Sequence, residues 1–283
     1  MITDSASDIP KSEWEELGIK LMPIPITIDG VTYRESVDFT GVDYYPMLAA
    51  AKDIPTHAQV TMIEFIDEYK KAAAEGFDGV ICVTITSKGS GIYDAACLAK
   101  KLLLEEQPEL AEHFTIDVVD SKAYTYVYGM AVVAAARASR EGKCRDEVMS
   151  VLREALDHYT AAVGLFNLFY AKKSGRITTV AAFVGDIMGF RPILCLEDGA
   201  LVTRAKVRGD SKLIEEMASL YKKQSAEDGR PYYIICADSM PNAELLQKAI
   251  GKLTKNPFGG FYRIGAAVTT NSGPTIIGFV QPT

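Results

Sequence analysis

The chain is expected to be an α/β protein of two domains. The N-terminal one is a three-layer α/β/α domain around a parallel sheet, and the C-terminal one is a two-layer domain in which a mixed sheet packs on helices. Three observations predict this. A length of 283 residues is too great for one small domain and fits two compact ones sharing an interface. The first half alternates short apolar runs with segments of helical period, as a parallel sheet covered by helices does. The second half changes grammar near Thr160, where apolar runs meet at the hairpin signal Asp198-Gly199. The domains are therefore read as 1–159 and 160–283.

In the first domain the strands are expected at Ile2–Thr3, Lys20–Pro23, Val80–Ile85 and Thr115–Val119. Helices fall near Lys11–Leu17, Tyr44–Ala51, Met62–Glu75, Tyr93–Glu106, Tyr124–Arg140 and Arg145–His158, several of them closed by glycine. Thr61 followed by Glu64 is a capping box, so Thr61 is assigned to helix initiation. A hairpin excursion near 24–40 carries the tight turn Asp29-Gly30 between Ile26–Ile28 and Val31–Arg34. Asp4, Ser5 and Asp8 lie beyond the first strand, where doubly wound sheets hold ligands, but Asp8 before Pro10 also suits a helix cap, and a structural role is preferred.

In the second domain, strands are expected at Ala161–Phe166, Ile193–Leu196, Leu201–Val207, Tyr232–Ala237, Gly265–Thr270 and Ile276–Val280, with helices at Lys212–Gln224 and Asn242–Leu253. Phe258-Gly259-Gly260-Phe261-Tyr262 reads as a mobile edge, because paired glycines free the backbone.

Composition removes several classes of function. A net charge of −7 without a dense basic cluster excludes a nucleic-acid partner, whose phosphates demand a positive surface. Five scattered cysteines suit buried thiols in a reducing compartment, and three histidines without ligand spacing imply no metal. No run approaches the roughly 20 apolar residues of a membrane span, and no leader pattern opens the sequence. A cytoplasmic protein is expected that is not integral to a membrane, with transient membrane contact left open.

The segment Thr86-Ser87-Lys88-Gly89-Ser90-Gly91-Ile92-Tyr93 sits between an apolar strand and an amphipathic helix. Backbone N–H groups at such a helix start, with the Ser87 and Ser90 hydroxyls beside them, suit a carboxylate or phosphate; a plain helix cap is the competing reading. A site between the domains is the natural location. The aromatic set Tyr124, Tyr126, Tyr128, Phe166, Phe169, Tyr170, Phe183 and Phe190, with Met188, is a candidate lining, although most such residues are ordinary core.

Several motifs then occur in order. They are Thr3-Asp4-Ser5-Ala6-Ser7-Asp8-Ile9-Pro10, Asp29-Gly30 with Tyr33-Arg34-Glu35, the segment Pro55 to Thr61, the loop Ser87 to Gly91, and Val119-Asp120-Ser121-Lys122. Lys173-Ser174-Gly175-Arg176-Ile177, Arg191-Pro192-Ile193-Leu194 with Asp198-Gly199, and Gly273-Pro274 follow. Together they resemble the DegV family over almost the whole chain. The resemblance implies a DegV-like fold and a non-catalytic protein that holds one long-chain fatty acid, its carboxylate at the domain junction and its acyl chain buried. It also implies a partner, the ATP-binding subunit of a bacterial fatty acid kinase, to which the carboxylate is presented. No cofactor beyond the bound acid is implied.

By the same resemblance the carboxylate-binding positions fall on Ser90, His57, Ala58 and Asn271, with Ser87, Gly91 and Gln59 supporting the loop. Only Ser90 and Gln59 keep the family's residue. His57 and Ala58 replace two hydroxyl residues, and Asn271 stands where the family has a histidine. Either the donors have been exchanged between the walls, His57 for the lost histidine and Asn271 offering an amide N–H, or the head group differs. His57 as a backbone-bonded loop histidine is a third reading. Lys173 and Arg176, near Lys172, are candidate contacts for a phosphate or an acidic partner, and Arg191, Arg204, Lys206 and Arg208 extend that basic theme. A Ser90–His57 acyl-ester hydrolase and a binder of a non-lipid anion remain as alternatives, the former without a Gly-x-Ser-x-Gly elbow.

Overall fold

The computed structural model describes residues 1–174 and 189–283. Its first sheet consists of β1 (Ile2–Asp4), β2 (Lys20–Met22), β6 (Gly79–Thr84) and β7 (Thr115–Asp120), all parallel, in the order β2-β1-β6-β7. One helical layer contains α3 (Met62–Ala74) packed on α4 (Ile92–Glu106). In the other, α5 (Tyr126–Arg140) packs on α1 (Lys11–Leu17) and α6 (Arg145–Asp157). The chain leaves β1 for β2 in one direction and β6 for β7 in the other, so the order reverses between β1 and β6. In a doubly wound sheet, the crevice beyond the carboxyl ends of those two strands is where ligands bind.

The excursion forms its own three-stranded sheet, in which β3 (Pro25–Ile28) lies between β4 (Val31–Arg34) and β5 (Thr56–His57), both antiparallel to it. The pair β5 escapes a reading by periodicity because two residues carry none. It matters because it fixes His57 opposite Ile26. Helix α2 (Gly41–Ala50) completes this unit.

The second sheet has six strands in the order β10-β9-β8-β13-β11-β12: β8 (Tyr159–Gly164), β9 (Phe190–Glu197), β10 (Ala200–Arg208), β11 (Tyr232–Cys236), β12 (Phe258–Arg263) and β13 (Ile277–Pro282). Only β11 and β12 run parallel, which makes the sheet mixed. Alternate residues along a strand face opposite sides of it. Helix α7 (Phe169–Ser174) follows β8, and on one side of the sheet Ala162, Ile193, Ile234 and Phe279 pack under α8 (Asp210–Gln224) and α9 (Met240–Gly251). On the other, Ala161, Val163, Leu194, Ile235 and Val280 join the core of the first domain. Helices thus cover one face of this sheet and the other domain covers the second.

Two expectations fail here. Gly265–Thr270 is not a strand; Ala266–Ser272 is a helix, α10, entered from Gly265. Its start is held by carboxylates of the other domain, since Gly265 N–H donates to Asp8 Oδ1 at 2.9 Å and Ala267 N–H to Glu35 Oε1 at 3.1 Å. Asp8 is therefore not the cap of α1, whose N-cap is Pro10. Phe258–Arg263 is the edge strand β12, paired in parallel with β11 through a register shift between Tyr232 and Tyr233. The Thr61–Glu64 capping box stands as read, with Thr61 N–H donating to Glu64 Oε2 at 2.7 Å.

Candidate functional site

An apolar cleft lies where the inner face of the second sheet meets the β1/β6 switch point. Its cavity volume is about 100 Å³. Its walls are aliphatic, with Ile24, Ile85 and Ile92 from the first domain facing Val163, Leu196 and Ile235 of the second. The polar side chains in its lining are those of His57, Ser90, Tyr124, Thr125, Asn271 and Ser272.

The loop after β6 is anchored on three sides. Ile85 N–H donates to Asp4 Oδ2 at 2.7 Å, and the Ser87 N–H and hydroxyl both donate to Asp120, at 3.1 and 2.5 Å. The Gly89 and Ser90 N–H groups donate to the Thr86 carbonyl, and Ile92 N–H donates to Ser90 Oγ at 3.3 Å. The helix start is thus less open to an anion than its sequence suggests, because several of its N–H groups already have acceptors. Ser87 is committed to shaping the loop. Ser90 Oγ accepts one bond, which leaves its hydroxyl hydrogen as the donor it brings to the cleft. A Cβ at Gly91 would meet the side-chain amide of Gln59, an exposed residue whose flexible end can move aside. Gln59 thus lies beside the loop and is not among the residues that line the cleft.

His57 and Asn271 meet across the domain junction, with Asn271 Nδ2 at 3.0 Å from His57 Nε2. The same amide nitrogen donates to the Ala267 carbonyl at 2.8 Å. That carbonyl fixes the amide's orientation, because a flipped side chain would set oxygen against oxygen. Nδ2 therefore donates to Nε2, and the neutral imidazole carries its proton on Nδ1. An amide N–H offered by Asn271 to a ligand is not what this arrangement provides. Both hydrogens of Nδ2 are used in the chain, and Asn271 acts by holding His57. Ala58 presents a methyl group to the cleft, its N–H donating to the Pro25 carbonyl at 3.0 Å.

The floor of the crevice carries buried carboxyl groups. Asp4 accepts from Ile85 N–H, from Ala6 N–H at 3.1 Å and from the Tyr128 hydroxyl at 2.7 Å. Burial still outweighs these three donors and pushes its pKa up to about 6. Asp8 and Glu35 are likewise raised by burial, Asp8 well above the usual range with Glu35 adding repulsion. These groups build the fold of the site and do not line the cleft.

Among the described members of the aromatic set only Tyr124 lines the cleft. Tyr126 stacks on Tyr262 and Tyr128 binds Asp4, while Phe166 packs against the second core. Phe183 and Met188 lie outside the described residues. The lining is aliphatic because it comes from the inner face of β8, β9 and β11, and alternation along Ala161–Val163 is the signal that marks it. Arg176 and the side chain of Lys173 also lie outside the described residues. Of the further basic residues, Arg191 pairs with Asp210 at 2.8 Å and Arg204 with Glu197, which ties both into the fold. Among the described residues no group of histidine, cysteine and carboxylate side chains is placed to hold a metal ion, and no helix is long and apolar enough to cross a membrane.

A two-domain α/β protein with an apolar interdomain cleft that narrows to a few hydrogen-bonding groups is built as a small-molecule binding protein. The chain belongs to the DegV family: the family model described as "Uncharacterised protein, DegV family" matches residues 1–282. A DegV domain-containing protein of Clostridium perfringens is 32% identical over 236 residues, 83% of this chain and 81% of the relative. Solved structures share the fold. A DegV lipid-binding protein of Thermotoga maritima superposes with a TM-score of 0.84 at 25% identity, covering 99% of this chain and 97% of the other. A stearic acid-binding protein of Eubacterium ventriosum gives 0.87 at 25% identity, covering 99% and 96%. A fatty acid-binding DegV protein of Streptococcus agalactiae gives 0.85 at 27% identity, covering 99% and 97%.

Proposed function

We propose that this chain binds one long-chain fatty acid, its acyl chain lying in the interdomain cleft and its carboxylate at Ser90 and His57, and presents it to a separate kinase subunit. The observation that carries the reading is the aliphatic cleft whose lining also includes His57, Ser90 and Asn271, the first and last bonded to each other. Each buried methylene contributes about 0.8 kcal/mol, so the chain dominates affinity and the polar end sets orientation. The fatty acid-binding structures of the same fold support this ligand class. The kinase partner follows from the family resemblance. A buried tail with its head group at the domain junction also suits transfer chemistry carried out by another protein.

A catalytic reading has less support. Ser90 makes no hydrogen bond to His57 among the described residues, and His57 Nε2, the atom that would take the serine proton in a hydrolase, is bonded to the Asn271 amide instead. Native mass spectrometry of the purified protein tests the proposal. One acyl ligand per chain is expected, and an empty protein that takes up no fatty acid overturns it. Ser90→Ala and His57→Ala should each weaken palmitate about tenfold while affecting methyl palmitate less, because a hydrogen bond to a charged group is the stronger one.

A further inference from the structure

Beside Ser90, the cleft carries two hydroxyl groups that neither the motifs nor the relatives assign to it. Tyr124 lines the cleft and its ring lies directly on Gly89, where a Cβ would stand only 2.6 Å from the phenol oxygen. Gly89 has no side chain, so the hydroxyl of Tyr124 can reach the loop that carries Ser90. Tyr124 makes no side-chain hydrogen bond among the described residues.

The next residue, Thr125, also lines the cleft and is only 4% exposed. Its Oγ1 is buried without a hydrogen-bond partner. Its backbone is at φ 53°, ψ −147°, a conformation that a β-branched residue adopts only when its surroundings impose it. Neighbouring side chains on extended backbone point to opposite sides, and this local strain lets Tyr124 and Thr125 line the same cleft. A buried hydroxyl without a partner costs free energy in the empty protein, and a ligand oxygen would recover it.

We propose that Tyr124 and Thr125 form a second polar wall of the head-group pocket, donating hydroxyl hydrogen bonds to the carboxylate bound at Ser90 and replacing the hydroxyl lost at Ala58. This rests on the acyl-binding reading above and adds to it the residues that select an acid over a neutral lipid. Asp120 is also near Tyr124, but it accepts from the Ser87 N–H and hydroxyl and from the Lys122 N–H, and no hydrogen bond joins it to the phenol among the described residues.

The test is a displacement titration of a fluorescent acyl probe by palmitate and by methyl palmitate. It uses the delipidated wild type, Tyr124→Phe, Thr125→Val and Gly89→Ala. Tyr124→Phe keeps the ring and removes only the oxygen. It should raise the palmitate Kd about tenfold and change the ester Kd by less than about twofold; Thr125→Val should act in the same direction. Gly89→Ala meets the phenol oxygen and the ring carbons beside it, so it should displace the Tyr124 ring and weaken palmitate in the wild type. An unchanged palmitate Kd in Tyr124→Phe, or equal weakening of acid and ester, overturns the proposal while leaving fatty acid binding intact. A wild type that binds neither ligand overturns the acyl-binding reading and this inference with it.

Discussion

Asp4 has the clearest single-residue consequence. Its carboxyl group is wholly buried, with three donors and no cation beside it, and its pKa rises from the ordinary 3.8 to about 6. A group whose folded pKa lies above its unfolded value binds protons more tightly in the folded state. Stability is therefore greatest below pH 4 as far as Asp4 is concerned and falls as pH rises from about 4 to 6. Roughly two units at ~1.4 kcal/mol each is on the order of 3 kcal/mol. Asp8 and Glu35 are raised too and add loss of the same sign. Urea denaturation across pH 4 to 7 should show this decline, and Asp4→Asn should flatten part of it at the cost of lower stability in acid. A wild-type stability that rises steadily over that window would contradict the assignment.

At the scale of elements, the β9–β10 hairpin ties the domains together through its turn. Asp198 and Gly199 have φ of 44° and 78°, as a tight hairpin turn of two left-handed residues requires. The tip reaches the first domain, where the Thr86 hydroxyl donates to the Gly199 carbonyl at 2.9 Å and Lys88 and Lys122 both pair with Asp198. Those ion pairs are exposed and contribute little; the close fit at Gly199 matters more. A Cβ there would be 2.6 Å from Thr86 Oγ1 in a backbone region that disfavours it. Gly199→Ala should therefore destabilise the protein by about 1–2 kcal/mol or more, read from chemical denaturation. Asp198→Ala should cost less than about 1 kcal/mol. Helix α10 illustrates a different dependence. Its sequence, Ala-Ala-Val-Thr-Thr-Asn-Ser after a glycine, has the β-branched character of a strand. It is helical because Asp8 and Glu35, more than 230 positions away, cap its first turn.

At the scale of the molecule, the second sheet is the shared wall. With helices on one face and the first domain on the other, it leaves an apolar cleft at the junction instead of a filled core. A ligand that occupies the cleft binds only the closed, folded form, so it stabilises the whole chain by mass action, about 2.7 kcal/mol at a hundredfold excess over Kd. Removing the lipid should lower the melting temperature, and adding palmitate back should restore it in a concentration-dependent way. Identical melting curves with and without the acid would argue against a shared interdomain site.

The sequence alone determined the elements whose information is local. The run Val80–Ile85, the Thr61–Glu64 box and the Asp29-Gly30 and Asp198-Gly199 turns all depend on neighbours a few positions apart, and the ordered motifs then pointed to the family. Only the tertiary structure decided that His57 is held by Asn271, that Asp8 caps a helix in the other domain, and that, among the described residues, Tyr124 alone of the aromatic set joins the aliphatic lining of the cleft. These are contacts between positions far apart in the chain. Their free energy depends on how two domains pack, which no local pattern of residues encodes.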